Sequence, residues 1–421
     1  MALVSDLELP GLDYTDPQMR GPRFHAELEQ LRTHGWLASG PFGYVVLERE
    51  ACEFFLRTRA AVFPGMKIAE IFDVREGPLW EEMRRNILHI NGADHTRLRA
   101  LVNPALSPRA VERYRPLAQE LIAELYARAV GDGGMGGGSG LTAAGGVARA
   151  VRCEFVESFA KPYPSQVIAA VMGVPMADAP RLHHWSNWIQ RQFDAASMAS
   201  ERAAIEQAVA EFYEYAGELV RVRRGTQGDD LISKLIAAEE EGERLSDVEC
   251  VNLVLNVLIG GVDTTQSQLA HGLRLFAEHP QQWELLAREP ERAGAAVEEV
   301  LRFEPITPFT ARITTEEVSF REVTFPKDTI VRVCAFTGNR DDVEGGFDEF
   351  DITAERGRTR ALTFGAGVHY CLGANLARVE LEEALKYLPA RMPELRLDGE
   401  PVYESIMGIY GLAQLPLRFA V

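Results

Sequence analysis

One cysteine, Cys371, lies in the stretch Phe364-Gly365-Ala366-Gly367-Val368-His369-Tyr370-Cys371-Leu372-Gly373, where glycines hinge a loop just ahead of a helical pattern. Gly365, Gly367 and Gly373 allow backbone angles that other residues resist and let the chain lie close against something flat. The following Ala374-Asn375-Leu376-Ala377-Arg378-Val379-Glu380-Leu381 reads as a helix whose N-terminal amides point back at Cys371 and favour a thiolate. A thiolate in that setting suits iron, and the lack of a second nearby cysteine argues against a zinc pair. An inert buried thiol is the competing reading of the loop taken alone.

A second constellation, Gly260-Gly261-Val262-Asp263-Thr264-Thr265, interrupts the apolar helical pattern of Val251 to Leu269. Glycine inside a helix costs about 1 kcal/mol relative to alanine, and a threonine hydroxyl competes for the carbonyl four residues back, here that of Gly260. The spacing predicts a local opening that holds a small diatomic molecule and ordered water, with Asp263 and Thr264 as adjacent proton-handling groups. A kinked core helix with a buried acid and hydroxyl is the plainer alternative. Glu299 and Arg302 stand three apart on an apolar helical pattern, a spacing that surface ion pairs commonly show. His95 and Arg99 share one helical face, and Arg312 and His369 are further cationic positions that singly read as solvated charge.

Long segments of helical periodicity must position these groups: Arg109 to Val130, Ala203 to Arg224 and Val248 to Glu278. Strand-like runs are short and few: Gly43 to Leu47, Val318 to Phe325 and Thr329 to Phe336, the last two separated by the turn signal Pro326-Lys327-Asp328. The segment Gly131 to Val147 is saturated with glycine and reads as a flexible insertion; it lacks the Lys-Ser/Thr ending or strand-turn-helix frame of a phosphate loop.

The 421 residues are 46% hydrophobic, enough for a large core, and a net charge of -18 argues against a nucleic-acid partner. Neither a basic region with an apolar block at the N-terminus nor an apolar run of membrane-spanning length is apparent, which predicts a cytoplasmic protein without a membrane span. Five scattered cysteines fit a reducing compartment better than a disulfide framework.

The loop around Cys371 resembles the haem-binding loop of the cytochromes P450, matching its phenylalanine, glycines, histidine and cysteine. The resemblance continues in consistent order from Asp94 to Leu415-Pro416-Leu417-Arg418-Phe419. It implies a cytochrome P450 fold, mainly α with a small β subdomain, as a single large domain over 1–421 that encloses haem b, with 131–147 a Gly-rich insertion. Cys371 is then the axial iron ligand, and Phe364 and Gly365 belong to the same cofactor-binding loop. His95, Arg99, Arg312 and His369 match positions that hold the propionates, which need cationic or hydrogen-bonding partners when buried. Asp263 and Thr264 match the oxygen-activation pair. Glu299 and Arg302 match a buried structural network whose third member is usually an arginine just before Phe-Asp; Glu349 stands there instead, and Arg340 is one candidate.

The implied activity is haem-thiolate monooxygenation, hydroxylating or epoxidising a hydrophobic small molecule such as a terpenoid, steroid, fatty acid or polyketide. The resemblance assigns the pocket to the loop before His95, to Asn256, Ile259 and Gly260, to Ile306 through Phe309 and Thr310, and to Met407 through Ile409 and Tyr410. Ordinary core packing competes at each of these positions. No flavin, nicotinamide or iron-sulfur module is visible, so electrons are expected from a ferredoxin or similar donor with its reductase. Arg97, Arg109, Arg113, Arg115, Arg356, Arg358 and Arg360 fall where such a donor would dock. A peroxide-driven enzyme of the same fold and a haem-based sensor are the rival functions; the Asp263-Thr264 pair and the lack of a signalling domain weigh against them.

Overall fold

The helix Asp247–Gly261 begins at a capping box: the Ser246 side chain accepts from the Glu249 amide, and the Glu249 carboxylate accepts from the Ser246 amide at 2.9 Å. Beyond that cap its residues are apolar on nearly every side because helices pack around it, namely Pro162–Met172, Ala179–Gln190 and Arg202–Arg223. The computed structural model describes residues 1–131, 139–141, 147–226, 228–240, 245–341, 348–356 and 360–421. After a break at Val262 the chain continues as Asp263–Glu278, which packs on Ala293–Phe303 and Ala374–Tyr387. An 18-residue window within Asp247–Glu278 reaches a mean hydropathy of 1.3, enough by length and composition alone for a membrane span. Two thirds of that window is buried inside the protein (67%), so its composition reflects a core position.

A five-stranded sheet flanks the helical body in the order Leu37–Gly40, Gly43–Val46, Ile330–Cys334, Phe309–Thr314, Ala61–Val62. Ile330–Cys334 runs parallel to Gly43–Val46 and antiparallel to Phe309–Thr314, with Val331 opposite Arg312 and Arg332 opposite Ala311. Smaller sheets pair Ala2–Leu3 with Val323–Phe325, and Val402–Tyr403 with Leu412–Gln414. The mainly α body with a small β part is thus as expected.

Two local expectations differ, and a third falls mostly outside the described residues. The helical pattern from Arg109 is divided into Pro108–Val111 and Arg115–Gly131 by a single tight turn over Glu112–Tyr114. Val318 to Phe325 is a hairpin, not one strand, because Arg321 takes a left-handed φ of 51° at its turn. Most of the proposed 131–147 insertion lies outside the described residues; within it, Ser139–Leu141 forms strand pairs with 147–149 of the strand Val147–Glu154. That second strand pairs in turn with the C-terminal Pro416–Ala420.

Candidate functional site

The cysteine loop is shaped by backbone contacts. The Cys371 amide donates to the Phe364 carbonyl at 2.9 Å and the Gly365 amide to Leu362 at 2.7 Å. Gly367 takes φ +71°, and a Cβ there would lie 2.6 Å from the Leu56 carbonyl oxygen, so both conformation and space require glycine. Gly373 differs from the expectation: its φ is -82°, open to any residue, and its usefulness lies in the absent side chain beside the Cys371 sulfur. The helix Ala374–Tyr387 follows. Burial pushes the Cys371 thiol up, and the amides of Gly373 and Ala374 together with Arg99 and Arg378 pull against it.

Cys371 borders a cavity of about 380 Å³. Phe364, Gly365, His369, His95, Arg99 and Arg312 line the same cavity. Their electrostatics share one defect. Burial lowers the basicity of Arg312, to about 10, and of Arg99; it also pushes His369 down to about 3, helped by His95, Arg312 and Arg99. His95 is lowered by burial and by Arg99. The rings of His95 and His369 lie 4.2 Å apart, and His369 Nδ1 is buried without a hydrogen-bond partner. Arg312 donates to the Ala311 carbonyl at 2.9 Å and Arg99 to that of Tyr370. Among the described residues no carboxylate pairs with any of the four. Two buried anionic groups would restore the charge balance, which is what haem propionates bring, and the thiol of Cys371 supplies the donor that haem iron needs. The residues present therefore fit a haem.

Gly260, Thr264 and Thr265 of the broken helix also line the cavity. The Thr264 hydroxyl donates to the Gly260 carbonyl at 2.6 Å, the competition that the spacing predicted. Gly261 packs where any Cβ would run into Ile168, whereas Gly260 faces open space. Asp263 does not line the cavity. It is buried, accepts from the Ser186 hydroxyl and from Asn187 Nδ2 at 3.3 Å, and burial pushes its carboxyl up against the pull of His183, Ser186 and Asn187. From Asn187 the contacts continue to Arg191 at 3.4 Å, which pairs with the half-exposed Glu201 at 2.9 Å. A polar path thus leads from Asp263 toward solvent.

Of the expected pocket residues, Asn256, Ile259, Gly260, Phe309, Thr310, Met407 and Ile409 border the cavity, whereas Tyr410 does not and instead accepts from the Gly21 amide. The cavity is also bordered by Gln190, Gln192 and Phe193 from the end of another helix, Phe42 from the turn between Leu37–Gly40 and Gly43–Val46, and Arg332 from the sheet, which sequence reasoning missed. Arg332 left one signal, a lone cation between Val331 and Val333 in an apolar strand.

Glu299 and Arg302 are away from the cavity in a buried network. Arg302 donates to Glu299 at 2.7 and 2.8 Å, and the Asp351 amide donates to it at 2.9 Å. The third member is Arg356, at 2.9 and 3.1 Å from the same carboxylate; Glu349 contributes only its carbonyl, which accepts from both arginines. Arg340 is therefore not the partner; its guanidinium stacks 3.7 Å over Phe336 and 4.1 Å over Phe303. Burial raises the Glu299 carboxyl, and the two arginines outweigh it and hold it below its ordinary range.

The expected basic docking face is largely neutralised. Arg97 pairs with Glu249, Arg113 with Asp229, Arg115 with Glu112, Glu382 and Glu383, and Arg356 is committed to Glu299. Arg109 and Arg360 are exposed, and Arg358 lies outside the described residues.

Comparison with known proteins agrees with the geometry. The family model "Cytochrome P450" matches residues 45–388. Luteothin monooxygenase of Streptomyces thioluteus is 31% identical over 98% of this chain and 96% of its own length. Mycinamicin IV hydroxylase/epoxidase of Micromonospora griseorubida is 34% identical over 75% of each chain. The crystal structure of CalO2 superposes with a TM-score of 0.86 at 29% identity, covering 98% of this chain and 99% of that one. With a cysteine loop, an opened central helix and a fold shared over nearly its whole length, the chain belongs to the cytochrome P450 family of haem-thiolate monooxygenases.

Proposed function

We propose that the protein binds haem b through Cys371 and inserts one oxygen atom of O2 into a hydrophobic small molecule, using two electrons and two protons and releasing water. When bound, the haem supplies oxygen activation, which thiolate ligation favours over reversible oxygen storage. The observation that carries this reading is one cavity bordered by Cys371, by four cationic or potentially cationic groups without a carboxylate partner, and by the opened helix at Thr264.

His95, Arg99, Arg312 and His369 would hold the two propionates, and Gly365 and Gly367 would let the backbone lie against the ring. Thr264 orients a water molecule beside the Gly260 carbonyl, and could orient O2 only once its hydroxyl turns off that carbonyl. Asp263, reached through Asn187 and Arg191, replenishes protons at that spot without touching the substrate. Asn256, Ile259, Phe309, Thr310, Met407 and Ile409 shape the substrate's surroundings. The electrons come from a ferredoxin-type protein that meets a face with few free arginines, so reduction should depend only weakly on ionic strength. No disulfide joins any of the five cysteines among the described residues, which supports work in the cytoplasm.

The presence of Asp263 and Thr264 favours O2 over peroxide as oxidant. The test pairs two measurements. The reduced holoprotein should give a thiolate-type carbon monoxide difference band that Cys371→Ala abolishes, and turnover should require O2 with reductant. Retention of the band in Cys371→Ala would overturn the ligand assignment, and full turnover with peroxide alone would favour the peroxygenase.

A further inference from the structure

Arg332 stands in the middle of Ile330–Cys334, opposite Ala311 on one neighbouring strand and Val45 on the other. Facing residues of antiparallel strands share a side of the sheet. Arg332 therefore lies on the side of Ala311, while Arg312, opposite Val331, lies on the other. Arg332 nevertheless borders the main cavity, together with Phe42, Phe309 and Ile330.

Its guanidinium carbon sits 4.5 Å from the centroid of the Tyr14 ring. That ring also meets Phe42 and Phe309, at centroid distances of 6.4 and 5.7 Å. Stacking uses the face of a guanidinium and leaves its in-plane N–H donors unsatisfied. Arg332 Nε is buried without a hydrogen-bond partner, and among the described residues no carboxylate pairs with this side chain. Interior Arg274 and Arg302 end on acids, Arg274 on Glu304 and Glu278 and Arg302 on Glu299, whereas buried Arg340, like Arg332, stacks on aromatic rings. The propionates would have Arg99, Arg312 and the two histidines as partners. Arg332 is a surplus cation in a mostly apolar chamber, an arrangement that becomes favourable when a ligand carries the opposite charge.

Resting on the reading of this cavity as the substrate site, we propose that the substrate is an amphipathic carboxylic acid whose carboxylate is bound by Arg332 in the Tyr14–Phe42 corner. Its apolar body extends past Phe309 and Ile259 toward Thr264, so that oxidation falls on carbon remote from the acid.

Dodecanoate and dodecanol share a chain and differ in the head group. Calorimetric titration of wild-type holoenzyme with each, with the haem spin state followed in parallel, should show the acid binding about ten- to a hundredfold tighter, the range a charge-assisted hydrogen bond gives. Arg332→Gln should remove that advantage while leaving the alcohol within about twofold, and Arg332→Lys should retain part of it. Equal loss for acid and alcohol, a wild type that prefers the alcohol, or one that binds neither would overturn the proposal. The carbon monoxide band of the same samples separates the two levels. A thiolate-type band with no acid preference sinks only the substrate inference, whereas a wild type without that band sinks the haem-thiolate reading itself.

Discussion

Replacing Glu82 with glutamine is expected to stabilise the protein progressively as pH rises from 5 to 8. Glu82 belongs to the helix Gly77–Met83 and is fully buried. Asn86 Nδ2 donates to its Oε1 at 2.6 Å, while Oε2 has no hydrogen-bond partner. Burial, opposed only by the Asn86 and Gln192 amides, pushes the carboxyl from 4.5 to about 7. Because the folded protein holds this proton more tightly than the unfolded chain, the group's contribution is fully present below pH 4.5 and is lost as pH rises through about 7. A displacement of that size is worth about 3 kcal/mol at pH 8, a substantial share of a total stability of roughly 5–15 kcal/mol. Glutamine stays neutral throughout and keeps an acceptor for Asn86. Urea unfolding of the holoprotein, followed by far-ultraviolet circular dichroism at several pH values, gives the difference between variant and wild type, from which the other titrating groups cancel. The variant should gain about 2–3 kcal/mol on the wild type between pH 5 and pH 8. A difference independent of pH, or one that shrinks toward pH 8, would refute the assignment of a protonated, unpaired acid.

Glu299→Gln strips the counter-charge from buried Arg302 and from Arg356, and unfolding should become easier by about 3–5 kcal/mol. Arg356→Gln, in which Arg302 keeps its partner, should cost less in the same urea titration, and the reverse order would contradict the network. Gly367→Ala forces a side chain into left-handed backbone against the Leu56 carbonyl; a loss of about 1–3 kcal/mol and a lower haem content after purification should follow. Wild-type haem content and stability in that variant would mean that the loop shifts freely. Asp263→Asn should slow O2-dependent turnover by about a hundredfold while sparing peroxide-driven turnover; an equal fall in both assays would show that Asp263 acts on folding or substrate binding instead.

The cysteine loop and the helix break were legible because each depends on local chemistry: glycines where backbone geometry or close packing needs them, and a threonine four residues beyond a carbonyl it can bond. Most pocket residues named from resemblance border the cavity because the fold places their elements, though Tyr410 does not. What sequence could not supply was pairing across the chain. Arg356 lies beyond Phe350-Asp351, where the family pattern would put the arginine before them, so only the folded structure reveals that it reaches Glu299. The arginines expected to form a docking face were counted without the acids that meet them, among them Glu249, Asp229 and Glu383, which come from distant segments. Asp263 was expected beside Thr264 in chemistry and is beside it in sequence, yet successive helical residues point about 100° apart, and the two serve different sides of the wall.

Thr264 has a single hydroxyl proton, and at 2.6 Å the Gly260 carbonyl already receives it. Toward the cavity the oxygen is left with lone pairs alone, so a molecule lodged there must first offer a hydrogen to be held. A water molecule satisfies that condition, whereas bare dioxygen does not. The side chain thus behaves as a polarity filter whose sense reverses only when the hydroxyl rotates off Gly260, at a cost on the order of 1 kcal/mol, about the net worth of one hydrogen bond.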